Sequence, residues 1–94
     1  FEFVEYAKTL SNPGNPNDLI NDALKYLYRL NLSPQVKDQM KVQMLLSNQL
    51  YDYYWTNAWT AYEASPTVAN FNTVNTRLKA LFQYFFNLSE YQLS

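Results

Sequence analysis

The reactive side chains of this sequence are carboxylates, hydroxyls, phenols and amines, because histidine and cysteine are both absent. Without imidazole, the usual general base near neutral pH and the commonest zinc ligand are gone. Without thiols, so are disulfides, cysteine nucleophiles and thiolate metal sites, and the redox compartment stays open. Two acidic pairs remain. Asp18 and Asp22 stand four apart on one helix face, with Asn17 and Asn21 beside them. They could share a cation, but acidic residues in a first helical turn ordinarily complement the backbone dipole, and the glycine-bearing calcium loop is missing. Asp52 and Glu63 also share a face, yet the helix between them sets them about 16 Å apart. Paired glycosidase carboxylates stand roughly 5–10 Å apart, so this pair does not fit that chemistry. Ser11, Ser33, Ser47, Ser65, Ser89 and Ser94 have no histidine to activate them, and helix caps and turns account for most of them. Gly14 is the only glycine, which excludes a phosphate-cradling loop. The isolated chain is therefore expected not to be an enzyme and to carry neither cofactor nor metal.

The other candidates for chemistry are aromatic, since tyrosine and tryptophan stack on sugar rings and anchor binding surfaces. From Leu50 to Tyr62 the sequence reads LYDYYWTNAWTAY. At about 100° per residue, Tyr51, Tyr54, Trp55, Ala58, Trp59 and Tyr62 crowd into roughly 140° of a helix, while Tyr53, Thr56, Asn57 and Thr60 point away. Aromatics at helical spacing are more often core than ligand site. The residues off the main stripes, Tyr53 on this helix and Tyr84, Leu88 and Tyr91 on the last one, form the candidate partner surface.

These side chains must be positioned by helices. With 94 residues, one glycine, four prolines and no β-branched runs, the chain reads as one all-α domain, residues 1–94, large enough for one core. Phe3, Ala7 and Leu10 fit a first helix, although Phe1 and Phe3 also hint at alternation, and SNPGNP (residues 11–16) ends it. Asn15 as cap, Pro16 at the first helical position and Asp18 in the first turn open a second helix, with Leu19, Ile20, Ala23, Leu24, Leu27 and Leu30 as its stripe. Ser33-Pro34 repeats the start signal for a third helix, whose Val36, Met40 and Met44 face one way and Val42, Leu45, Leu46 and Leu50 another. Ser47 and Asn48 are poor helix formers, so Pro34 to Glu63 is either one long helix or two. Pro66 ends the aromatic helix, and Ser65 can cap the next. In that last helix Phe71, Val74, Leu78, Leu81, Phe82, Phe85, Phe86 and Leu93 span about 140°, and Leu81 to Phe86 is apolar nearly all round. Five helices are expected, at about 1–11, 16–31, 34–47, 50–64 and 67–92, in a bundle of four to five mostly antiparallel members with Trp55, Trp59, Leu78, Phe82 and Phe85 buried.

A net charge of −1, with the seven basic residues scattered over several segments, gives no electrostatic footprint for nucleic acid. No run approaches the ~18 apolar residues of a membrane span. Two N-x-S triplets, at Asn31 and Asn87, would accept glycans only in a eukaryotic secretory route. The sequence shows no internal repeat beyond a short echo of RLNLS in FNLS. It starts at Phe1 rather than methionine, as expected of a processed product or a piece of a longer protein.

NPNDLINDALKYLYRLNLS, LLSNQLYDYYWTNAWTAY and RLKALFQYFFNLSEYQLS together resemble the C-terminal end of a large uncharacterised bacterial family, domain of unknown function 1800, in its Bacteroidetes-type form. The resemblance runs from Asn15 to Leu93, and its most specific parts are DYYWTNAW (52–59) and EYQL (90–93). It implies a terminal helical part of a protein several times longer, exported to the periplasm or cell exterior, and it brings no catalytic residues. Sequence and resemblance together lead to the expectation of a non-catalytic interaction or structural module, whose partner is the remainder of the parent chain or a second copy. A carbohydrate-binding module using surface tyrosines is the alternative.

Overall fold

Proline placement and side-chain caps fix where three of the five helices begin. The computed structural model describes the chain through Leu93 and its side chains through Glu90. Five helices, and no strand among the described residues, follow in order: α1 (Phe3–Lys8), α2 (Pro16–Asp22), α3 (Pro34–Met40), α4 (Tyr53–Ala64) and α5 (Val68–Leu93). α2 runs on without a break into a π-helical segment, Ala23–Tyr28, and α3 into another, Lys41–Leu45. The Asn15 side chain accepts hydrogen bonds from the backbone N–H groups of Asn17 and Asp18, and the Ser33 hydroxyl accepts one from Val36, each satisfying donors the helix itself leaves free.

The Pro34–Glu63 stretch is two helices. Ser47 and Asn48 both adopt left-handed backbone, at φ 53° and 64°, and turn the chain out of α3. α3 and α2 close alike: the Asn48 N–H donates to Val42 O at 2.9 Å, and the Leu30 N–H to Leu24 O at 3.0 Å, each across a residue of positive φ, Ser47 and Arg29. The proline starts, the left-handed residues and these closing bonds all recur at an eighteen-residue offset. Side-chain pattern hides this repeat, because the places held by Leu19 and Ile20 in α2 are held by Lys37 and Asp38 in α3.

The cap of α5 differs from the expected one. The Thr67 hydroxyl, rather than Ser65, accepts from the Asn70 N–H at 3.2 Å, while the Asn70 amide donates back to Ser65 O and Ala61 O. The residue before Pro66 is held extended, which leaves Thr67 as the last position that can cap.

α2 and α3 are antiparallel, since Asn21 meets Lys37 while Asn17 meets Lys41. α4 and α5 form a second antiparallel pair: Tyr62 meets Phe71 near their junction, and the Arg77 guanidinium reaches Tyr54 O at the far end. At 1.5 Å per residue, the 26 residues of α5 account for the 41 Å long dimension of the molecule. All five helices feed one core, whose buried members are Val4 and Ala7, then Leu19, Ile20, Ala23 and Leu24, then Met40, Leu45 and Leu46, then Trp55, Trp59 and Tyr62, and finally Val74, Leu78, Leu81, Phe82 and Phe85. Trp55, Leu78, Phe82 and Phe85 are fully buried and Trp59 is 2% exposed, as their spacing predicts.

The turn before α2 is locked onto the aromatic helix. Asn12 O accepts from the Asn15 N–H, the Trp55 indole N–H donates to Pro13 O at 2.8 Å, and the Thr56 hydroxyl donates to Gly14 O at 2.7 Å. Three expected core members are outside. Tyr51 is 63% exposed because α4 starts only at Tyr53; Tyr54 is 37% exposed in the first turn of α4; and Phe86 is 53% exposed. Phe86 stands at the extreme edge of the α5 arc, about 100° from Phe85, which points to the middle of the core.

Candidate functional site

An apolar opening lies where the N-terminal residues and the end of α2 meet α5. Phe1, Phe3, Leu27, Tyr28, Phe82 and Phe86, with Gln83 and Ser89 at the rim, line a groove of about 470 Å³. Phe82 is its floor, fully buried, with the rings of Phe3, Tyr6 and Tyr28 at 5.9, 5.9 and 6.1 Å. Phe1 meets it edge-on at 6.4 Å yet remains 72% exposed, and Phe86 forms the opposite wall. The Tyr28 hydroxyl donates to Phe82 O at 3.0 Å, which satisfies it within the groove lining. Burial, with a smaller contribution from the Tyr6 phenol, holds the Tyr28 pKa above the ordinary tyrosine value, so it remains a neutral donor. Aromatic walls of this kind gain by burial against an apolar partner.

A second aromatic feature sits at the start of α4. Tyr51 and Tyr53 stack nearly parallel, 7° apart with centroids at 5.7 Å, and Tyr53 stacks on Tyr54 at 4.6 Å. Leu50 beside them is 78% exposed. This tyrosine stack is exposed because the break at Ser47 and Asn48 carries the chain away from the core before α4 begins.

The structure separates the candidate partner residues. Tyr53 is half exposed within the stack. Tyr84 is half-buried, packed on the core with its ring 6.5 Å from Phe85, and Leu88 is half-buried one turn further on. The Tyr91 side chain lies outside the described residues. Tyr54 is level with Arg77, and Tyr84 is two turns, about 10 Å, beyond that point, so Tyr53 does not join the α5 set. Phe1 and Phe86 were not among the candidates. Periodicity gives Phe86 only a place at the edge of the arc, an edge position that in α4 leaves Trp59 buried, and the exposure of Phe1 depends on what packs near it.

Two of the polar candidates, Asp52 and Asp18, are held by neighbouring side chains. Lys41 Nζ stands 3.0 Å from Asp52 Oδ1, 3.0 Å from Asn17 Oδ1 and 3.4 Å from Asp38 Oδ1, and the Asn17 amide donates to Asp52 Oδ2 at 2.9 Å. This network ties α2, α3 and the start of α4 together. Partial burial works to raise the Asp52 carboxyl pKa, but hydrogen bonds from Lys41 and Asn17 and the Lys41 charge outweigh it and hold it below the usual value. Asp18 is engaged by the Asn12 amide at 3.0 Å. Among the described residues, no three Asp or Glu side chains converge as a metal site would need, and no helix is long and apolar enough to cross a membrane. Compared with known proteins, the chain matches no protein-family model, no curated protein and no solved structure at a significant level.

Proposed function

We propose that this chain is a non-catalytic helical interaction module of a larger protein, and that its partner is the remainder of that protein, seated in the aromatic groove. The observation that carries this reading is the combination of an apolar groove with wall residues left open: Phe1 and Phe86 expose more than half of their surface around a buried Phe82 floor. Large apolar side chains gathered around one concavity gain about 25 cal/mol for each Å² removed from water, and a surface of that kind marks a contact site. The partner in this proposal comes from the expectation, drawn from the sequence resemblance alone, that residues 15–93 form the C-terminal part of a larger protein. Capture of the separately expressed remainder of the parent polypeptide by this chain tests it. Capture by the native sequence and its loss in Phe86→Glu is the expected result; equal capture by both would overturn the groove as the contact. The non-catalytic part is tested by a hydrolase screen, in which turnover abolished by Asp52→Ala or Glu63→Ala would overturn it.

One observation favours a second reading, a carbohydrate-binding module. The Tyr51, Tyr53 and Tyr54 stack presents ring faces and phenol groups to solvent at the start of α4. Selective glycan binding lost in Tyr53→Ala would establish that function in place of the first.

A further inference from the structure

The basic residues that look scattered in sequence are sorted by the fold. Lys8 pairs with Glu5, Lys41 with Asp38 and Asp52, and Arg77 donates to the carbonyls of Leu45 and Tyr54. Three others, Lys25, Arg29 and Lys37, line a single cleft of about 480 Å³ between the end of α2 and the start of α3. Asn21 and Asn31 complete its polar lining and Leu24 and Leu30 its apolar part, and among the described residues no carboxylate lines it. Among the described residues none of these three cations has a carboxylate within 4.0 Å. Lys37 donates to Asn21 Oδ1 at 3.1 Å, which uses one of its three N–H groups, and the Lys25 ammonium stands 5.1 Å over the Tyr26 ring. A concavity that collects unpaired charge of one sign focuses its field on a ligand of the other sign.

Arg29 supplies an independent indication. It occupies the left-handed position that ends α2, at φ 53° and ψ 44°, where glycine or asparagine is the usual choice because a Cβ is strained there. The backbone job of that position, donating its N–H to Leu24 O, needs no side chain. An arginine there is a worse choice for stability than glycine, and what it adds is a guanidinium with five N–H donors at the mouth of the cleft.

We propose that this cleft binds a small ligand bearing a phosphate or sulfate group on an apolar body, with Arg29 forking the oxyanion, Lys25 and Lys37 neutralising it, and Leu24 and Leu30 receiving the apolar part. This site is on a different side chain set from the aromatic groove and does not rest on the docking reading. Arginine matches tetrahedral oxyanions through two parallel hydrogen bonds, while lysines add point charge.

The test is titration of the whole chain, by NMR or calorimetry, with inorganic phosphate, phenyl phosphate and phenol at low and high salt. Phenyl phosphate should bind saturably, more tightly than inorganic phosphate or phenol, and more weakly as salt rises. Arg29→Gly should weaken it by at least about tenfold, with the melting temperature unchanged or higher, and Lys25→Gln should weaken it without disturbing the backbone. Phenyl phosphate and phenol binding alike, no saturable binding up to about 10 mM, or undiminished binding in both variants would overturn the proposal. A lower melting temperature for Arg29→Gly would overturn the argument that the side chain is kept for a ligand, and Lys25→Gln would then decide the site alone.

Discussion

At the scale of single residues, the ion network around Lys41 and the burial of Trp59 make opposite kinds of contribution. The Asp52 side chain is 45% exposed, so its pairing with Lys41 is worth about 0.5–1 kcal/mol after solvent screening. The sign of its pH dependence follows from the direction of the shift. Because the Asp52 pKa is lowered in the fold, its contribution is complete above the unfolded value near 4 and is lost as pH falls through the folded value. Burial works to lower the Lys41 pKa, but hydrogen bonds and charge from Asp52 and Asp38 raise it overall. Its contribution is therefore complete below an unfolded pKa of about 10.4 and is lost as pH rises through the folded value. Urea unfolding between pH 2 and 7 should show Asp52→Asn less stable than the native chain at pH 7 and converging with it at the acid end. Parallel curves would remove Asp52 from the account. Trp59 is a packing residue, 2% exposed and in ring contact with Trp55 and Tyr62, and Trp59→Ala should cost about 3–5 kcal/mol in the same measurement.

At the scale of elements, helix ends decide which substitutions matter. Thr67 caps α5 and Ser65 does not, so Thr67→Ala should cost about 1 kcal/mol and Ser65→Ala only a few tenths. Equal losses in thermal unfolding would return the cap to Ser65. Ser47 ends α3 in left-handed backbone, a conformation that costs a non-glycine residue roughly 1 kcal/mol. Ser47→Gly should accordingly leave stability unchanged or raise it by up to about 1 kcal/mol. A clear loss would mean that the Ser47 hydroxyl is needed at the turn. Both π-helical ends close with the same backbone bond across one left-handed residue, Arg29 after α2 and Ser47 after α3, and a second left-handed residue, Asn48, follows only at the latter.

At the scale of the whole molecule, adjacent phenylalanines on α5 have different fates. Phe85 is fully buried at the centre of the core and Phe86 is more than half exposed at the groove wall. Phe85→Ala should cost about 3–5 kcal/mol, whereas Phe86→Ser should cost less than about 1 kcal/mol, because most of its surface is already in water. Chemical denaturation of the two variants checks this. Similar losses would mean that Phe86 is committed to the fold and is not spare surface.

Sequence alone determined the features that depend on local chemistry. The Asn15-Pro16 and Ser33-Pro34 starts, the SNPGNP turn and the buried faces of α4 and α5 follow from caps, fixed proline φ and a 3.6-residue period, which act within a few residues. The absence of histidine and cysteine likewise bounded the chemistry before any fold was known. Periodicity gives a helix its apolar arc but not the part of that arc a neighbour will cover, which is why Phe86, Tyr51 and Tyr54 could not be placed outside in advance. Ser47 and Asn48 were ambiguous because low helix propensity permits a break without requiring one; the turn is decided by where Leu46 and Trp55 both find room in the core. Gathering Lys25, Arg29 and Lys37 at one cleft, and Phe1 with Phe86 at one groove, required α2 to fold back against α3 and the N-terminal residues to lie on α5. Those are contacts between residues far apart in the chain, and no local rule encodes them.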